Sequence, residues 1–249
     1  MRDIVYPPVI GLAKTAFKVL DLRFTMVGTE HIPTTGGAVL AVNHVSYVDF
    51  VISGFGAQPS KRLVRFMAKE AVFRNRYSGP LMRAMHHIPV DRGAGAGSYR
   101  EAIRLLSEGE IVGVFPEATI SRSFELKEFK SGAVRMAAEA GVPVIPMVLW
   151  GTQRMMTKDH PRDFSRHQRV AITVGEPMQV SPDEDATEAT ARLRTTMAGM
   201  LQRTINASPD KPAGAWWLPA SYGGSAPTPE EADRLDAEEL RERAARKRK

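Results

Sequence analysis

Three short stretches of this chain, residues 38–42, 111–115 and 144–150, are apolar throughout apart from one glycine and one proline. Runs of this length are too short for a helix buried all round. They also lack the period-two alternation of a strand with one wet face, so they read as strands covered on both sides. Parallel strands of that kind need crossovers of about a dozen residues or more, usually helical. The intervening segments have helical spacing: a helix is expected from about Tyr47, another over 98–106 with Ser98 as its cap, and another over 130–140 closed by Gly141. Residues 63–68, 88–90 and 170–174 are further strand candidates, and 184–205 reads as a long helix. The predicted class is therefore α/β, a mainly parallel β-sheet flanked by helices.

With 249 residues, one folded body with short appendages is expected. The composition divides the chain into an amphipathic helix over 1–22, a folded body over 23–205, and a Pro/Gly-rich segment with a charged helical or disordered tail over 206–249. Residues Met1-Arg2-Asp3 do not open a signal peptide, and Lys14 and Lys18 interrupt the apolar stretch before it could span a bilayer. Val9, Ile10, Ala13, Phe17 and Leu20 instead recur at helical spacing, with the lysines on the other side. Such a helix either packs on the body or lies in a membrane surface. In the tail, Thr228-Pro229-Glu230-Glu231 is a helix start, and a solvated helix or mobile segment ending in Arg246-Lys247-Arg248-Lys249 is expected.

The formal charge of +6 favours anionic partners: nucleic acid, an acidic membrane or phosphorylated substrates. A nucleic-acid binder would cluster its cations with exposed aromatics or a binding motif, and aromatics make up only 7% of this chain. The absence of cysteine excludes disulfides, thiolate metal sites and a thiol nucleophile.

Polar residues at the carboxyl ends of buried strands are where an α/β fold gathers ligands. His44 follows the first apolar run, and Asp49 comes five residues later. On one continuous helix the two would diverge. If the strand ends at His44 and a helix begins just after, the carboxylate can reach back to the ring, fix its tautomer and stabilise the imidazolium. Ser46 lies beside them. An isolated His/Asp pair at this spacing often arises by chance, so corroboration is needed. Three further segments supply it. Phe115-Pro116-Glu117-Ala118-Thr119 puts a proline and a carboxylate at the end of the second apolar run, with Arg122, Lys127 and Lys130 downstream. Ile88-Pro89-Val90-Asp91-Arg92 ends in an arginine suited to phosphate, with Lys69 upstream. Gly141-Val142-Pro143-Val144-Ile145-Pro146 brackets a strand entry with prolines, which suits a strand start or edge and a role in shaping the site wall.

In this order the four segments resemble the blocks of the glycerolipid acyltransferase family that contains the 1-acylglycerol-3-phosphate O-acyltransferases. That family carries NHxSxxD, a hydrophobic run ending in Arg, FPEGTRS and VPxxP. The likeness spans about residues 28–175. It implies His44 and Asp49 as catalytic residues, and Arg92, Glu117, Thr119, Lys69, Arg122 and Lys130 as candidate substrate-binding residues. It also implies an acyl-CoA or acyl-carrier-protein donor with no further cofactor and no metal, a phosphorylated glycerolipid acceptor, and a peripheral position on the cytoplasmic face of an anionic membrane. Two positions depart from FPEGTRS: Ala118 replaces the glycine, and Ile120 replaces the arginine thought to hold the acceptor phosphate. Another lysolipid or a glycolipid acceptor thereby gains ground, as does Arg122 as a substitute; a catalytically silent lipid-binding module is the other alternative, and the intact His44 and Asp49 count against it.

Overall fold

The computed structural model describes residues 3–91 and 95–246. In chain order its elements are α1 (Tyr6–Val19), β1 (Arg23–Val27), β2 (Ala38–Val42), α2 (Asp49–Gly56), β3 (Val64–Lys69), α3 (Glu70–Arg74), α4 (Ser78–Ala84) and β4 (Ile88–Val90). They continue with α5 (Gly95–Ser107), β5 (Ile111–Val114), α6 (Gly132–Ala140), β6 (Val144–Trp150), β7 (Arg169–Val174), α7 (Ala186–Ala207) and α8 (Pro229–Arg246). The seven strands form one sheet in the order β1-β7-β6-β2-β5-β3-β4. Every neighbouring pair is parallel except β6 with β7, so the fold is α/β with a mostly parallel sheet.

The apolar runs lie where continuous hydrophobicity requires. β2, β5 and β6 are buried at every residue. Alternate side chains feed opposite faces. Val39 and Ala41 join Val144 and Val148 under α5, α6 and α7, while Leu40 and Val42 join Ile145 and Met147 under α2. Pro89 sits on edge strand β4, where its missing donor costs no ladder bond. Pro146 departs from the expectation of a strand start or edge, because it lies inside central strand β6. It is tolerated there because the β7 ladder breaks beside it. Gly175 N–H donates to the Pro146 carbonyl, and the next pair is Val144 with Met178.

Several local expectations need correction. Ser98 lies inside α5 and does not cap it; its hydroxyl donates to the Pro89 carbonyl. β1 carries no strong apolar signal because its burial alternates between exposed and half-buried. The regular face of α1 packs on the body: Val9 and Ile10 meet the cluster of Tyr6, Phe73, Met82 and Met85, and Phe17 packs on Phe24 and Phe55. The apolar residues left outside are Ile4, Leu12 and Val19, each at least 65% exposed. Tail helix α8 is docked on the body through its acidic residues, and before it Trp217 and Leu218 are buried in the main core. Residues 247–249 of the basic run lie outside the described residues. No described helix is long and apolar enough to cross a membrane.

Candidate active site

The site is set by the register of two parallel strands. Ala41 pairs with Val114, so His44 and Glu117, each three residues further on, emerge side by side from the carboxyl ends of β2 and β5. Glu117 Oε1 accepts the His44 backbone N–H at 2.8 Å, and its Oε2 accepts that of Lys127 at 3.1 Å. Ser121 N–H donates to the His44 carbonyl at 2.8 Å, so the two segments close on each other from both sides. Burial pushes the Glu117 carboxyl up to about 8, against the pull of its two backbone donors and aided by the nearby Asp49 carboxylate.

The chain turns between His44 and the start of α2, and this turn brings Asp49 back to the histidine. Asp49 is fully buried at the first position of α2, where a carboxylate suits the helix dipole. Its Oδ2 accepts the ring Nδ1–H of His44 at 3.0 Å and the backbone N–H groups of Val45 and Ser46 at 2.7 Å each. Its Oδ1 accepts the Thr152 hydroxyl at 2.7 Å. With Nδ1 committed to the carboxylate as donor, Nε2 is the ring nitrogen left to accept a proton. The ring stacks on Phe115 at 4.1 Å between centroids and keeps 21% of its side-chain surface open. Phe115 in turn stacks on Phe66, and Gly113 makes room for that ring. Asn43 secures the floor by extending the β2–β6 ladder with its side chain, donating to the Leu149 carbonyl and accepting the Leu149 N–H.

The other expected residues differ in their surroundings. Ser46 is fully buried and its hydroxyl donates to the Met156 carbonyl at 2.6 Å, which turns it away from a nucleophilic role. Thr119 is half-buried and accepts from Lys158 Nζ at 3.1 Å. Lys69, at the end of β3, and Lys130 are exposed. Arg122 is buried and engaged by Asp159, Asp236 and Glu239. Arg92 lies outside the described residues. Ala118 adopts φ +59°, the left-handed conformation that a glycine takes without strain. Ile120 is buried.

Two contributors had no reading in the sequence. Thr152 follows β6 as His44 follows β2, so a polar residue just past a buried strand could have flagged it. Lys158 sits in a loop with no motif around it.

Comparison with known proteins identifies the family. The family model described as Acyltransferase matches residues 23–150, just over half of the chain and all of β1 through β6. The 1-acyl-sn-glycerol-3-phosphate acyltransferase of Bacillus subtilis (strain 168) is 33% identical over 64% of this chain and 77% of its own length. That of Borreliella burgdorferi is 26% identical over 59% of this chain, which spans only 58% of that relative. The crystal structure of the 1-acyl-sn-glycerophosphate (LPA) acyltransferase PlsC from Thermotoga maritima shares the fold, with a TM-score of 0.67 over 82% of this chain and 81% of that one at 24% identity. The His44–Asp49 pair lies within the matched segment, at the strand end where the fold places chemistry, and the chain belongs to the Acyltransferase family.

Proposed function

We propose that this protein transfers a fatty acyl group from an acyl-CoA or acyl-carrier-protein thioester to a hydroxyl of a lysophosphatidate-type glycerolipid, as a step of phospholipid synthesis. The observation that carries the reading is the His44 Nδ1–Asp49 Oδ2 contact at 3.0 Å on a ring with one open edge. His44 Nε2 takes the proton of the acceptor hydroxyl as its oxygen attacks the thioester carbonyl. The C–O bond forms, the C–S bond breaks as the tetrahedral intermediate collapses, and the imidazolium returns the proton to the leaving thiolate. Asp49 holds the tautomer and stabilises the imidazolium. The thioester is already activated, so the acyl donor is a co-substrate and no cofactor or metal is assigned. Direct transfer is favoured over an acyl-enzyme because the Ser46 hydroxyl is committed to Met156.

Burial of Ile120, at the position where the resembling family carries arginine, favours a second reading of the acceptor as another lysolipid or a glycolipid. The expected partners are a membrane lipid, the soluble donor and an anionic bilayer surface, with the protein held peripherally on the cytoplasmic face. Exposed Leu12 and Val19, seven residues apart on α1, together with Lys14 and Lys18, support that position. A small apolar groove of about 60 Å³, lined by Val9, Ile10 and Phe17 of α1 and Phe50 of α2, runs along the seam between the two helices. The test is release of free thiol from acyl-CoA or acyl carrier protein across a panel of lysolipids and glycolipids. His44→Ala, folded by circular dichroism, should lose transfer to every acceptor; near-normal transfer by this variant would sink the mechanism.

A further inference from the structure

Three cations next to the site converge on carboxylates that belong to the chain's own tail. Arg122 Nε donates to Asp236 Oδ1 at 2.9 Å, and its Nη2 donates to Glu239 Oε2 at 2.8 Å. Lys158 Nζ reaches the same two oxygens at 2.8 and 3.2 Å. Lys127 Nζ lies 3.1 Å from Asp236 Oδ2 and 2.6 Å from Asp233 Oδ1. Two oxygens from separate side chains thus sit between a guanidinium fork and an ammonium group, a donor set of the kind that phosphate oxygens also accept from. Asp159 adds a further, largely exposed carboxylate on Arg122.

The cations are anchored in the body. Lys127 donates its N–H to Glu117, whose other oxygen holds His44, and Lys158 Nζ also donates to Thr119. The anions are held more loosely. In α8 only Ala232 is buried, so the helix is fixed mainly by ion pairs, which exchange partners more readily than a packed apolar face. The Arg122 side chain is only 7% exposed. A guanidinium so desolvated is costly without an anion, and α8 supplies that anion in cis.

We propose that Arg122, Lys127 and Lys158 form a site for a phosphate monoester, filled by Asp236 and Glu239 of α8 until a phosphorylated substrate displaces them. The phosphate is either the head of a lysophosphatidate-type acceptor or the 3′-phosphate of a CoA donor. The reaction to which the site belongs rests on the acyltransfer reading above; the anion site itself does not.

The test titrates inorganic phosphate calorimetrically into the full-length protein and into the double variant Asp236→Asn/Glu239→Gln, both checked for folding by circular dichroism. Removing an internal competitor raises apparent affinity by the factor the closed state withheld, here roughly tenfold or more. The variant should gain that factor, and Arg122→Gln added to it should abolish the gain. Equal phosphate affinity in the wild type and the double variant, or a gain that survives Arg122→Gln, would overturn the site and leave the trio as a clamp for the helix. The source is separated by kinetics. A lower KM for lysophosphatidate in the double variant assigns the phosphate to the acceptor. A lower KM for acyl-CoA but not for its 3′-dephospho form assigns it to the donor. Both KM values unchanged overturns the link to the reaction. Tighter phosphate binding with no acyl transfer to any acceptor would instead sink the acyltransferase reading and leave the anion site standing.

Discussion

Asp49→Asn separates the charge of the His44 partner from its geometry. In the native site Oδ2 carries three donors, from His44 Nδ1 and the backbone of Val45 and Ser46, whereas Oδ1 carries only the Thr152 hydroxyl. An asparagine can set its carbonyl in the Oδ2 position and keep all three. Its amide then faces Thr152, whose hydroxyl can turn to accept. The fold and the His44 tautomer therefore survive, and what disappears is one negative charge beside the imidazolium of the transition state. At a separation of roughly 4 Å and an effective dielectric of 20, that attraction is about 4 kcal/mol, which corresponds to about a 10³-fold fall in kcat. Solvent at the open edge of the ring screens part of it, so a loss of roughly 10²–10³ is expected with little change in acceptor KM. The assay is steady-state thiol release, with thermal unfolding as the folding control. Adding Thr152→Val should then cost stability, because the amide loses its acceptor in a fully buried position. A folded Asp49→Asn protein with kcat within a few-fold of wild type would refute the argument, since the charge would then contribute almost nothing.

Other consequences follow from single contacts. Gly113→Ala would place a Cβ 2.5 Å from the Phe66 ring; overpacking of this kind typically costs about 1–3 kcal/mol, so the midpoint of urea unfolding should fall, and kcat with it as the Phe66–Phe115–His44 stack shifts. Glu117 is raised from 4.5 to about 8, so the fold holds a proton that the unfolded chain releases, and stability should be full below about 4.5 and decline by up to ~1.4 kcal/mol per pH unit on the way to 8. His87, held down at about 4 by burial and by Arg65, gives the opposite slope below 6.5, which makes pH 6.5–8 the clear window; there Glu117→Gln should flatten the dependence in denaturant titrations, and an unchanged slope would show that Glu117 is ionised in the fold. Placing Asp at both Leu12 and Val19 should weaken sedimentation with anionic vesicles while sparing turnover of a short-chain soluble acceptor; equal vesicle binding by the variant would confine α1 to packing.

What was legible in the sequence follows from where the physics is local. An apolar run of about five residues is too short for a helix buried all round and reads as a strand covered on both faces, so β2 and β5 could be placed from local sequence. The polar residues that end those strands had to lie at the sheet's carboxyl edge, and His44, Asp49 and Glu117 meet there for that reason. Asp49 reaches the ring because the helix begins at Asp49 itself, two residues later than the apolar pattern indicated. The less legible parts depend on contacts between distant segments. β1 is a strand because β7 pairs with it, and its own residues say little. The α1 face that read equally as membrane-seeking or packing is taken up by Phe24, Phe55 and the Tyr6 cluster, which leaves Leu12 and Val19 for any bilayer. Arg122 shows the same limit at the level of one charge. Its type and position fit a phosphate ligand, yet its occupants, Asp236 and Glu239, lie more than a hundred residues away in a helix that read as solvated charge. A basic residue near a site is therefore a binding residue only to the extent that no carboxylate of the same chain holds it more tightly than the substrate does. For this protein that competition is set by α8, a helix with a single buried side chain.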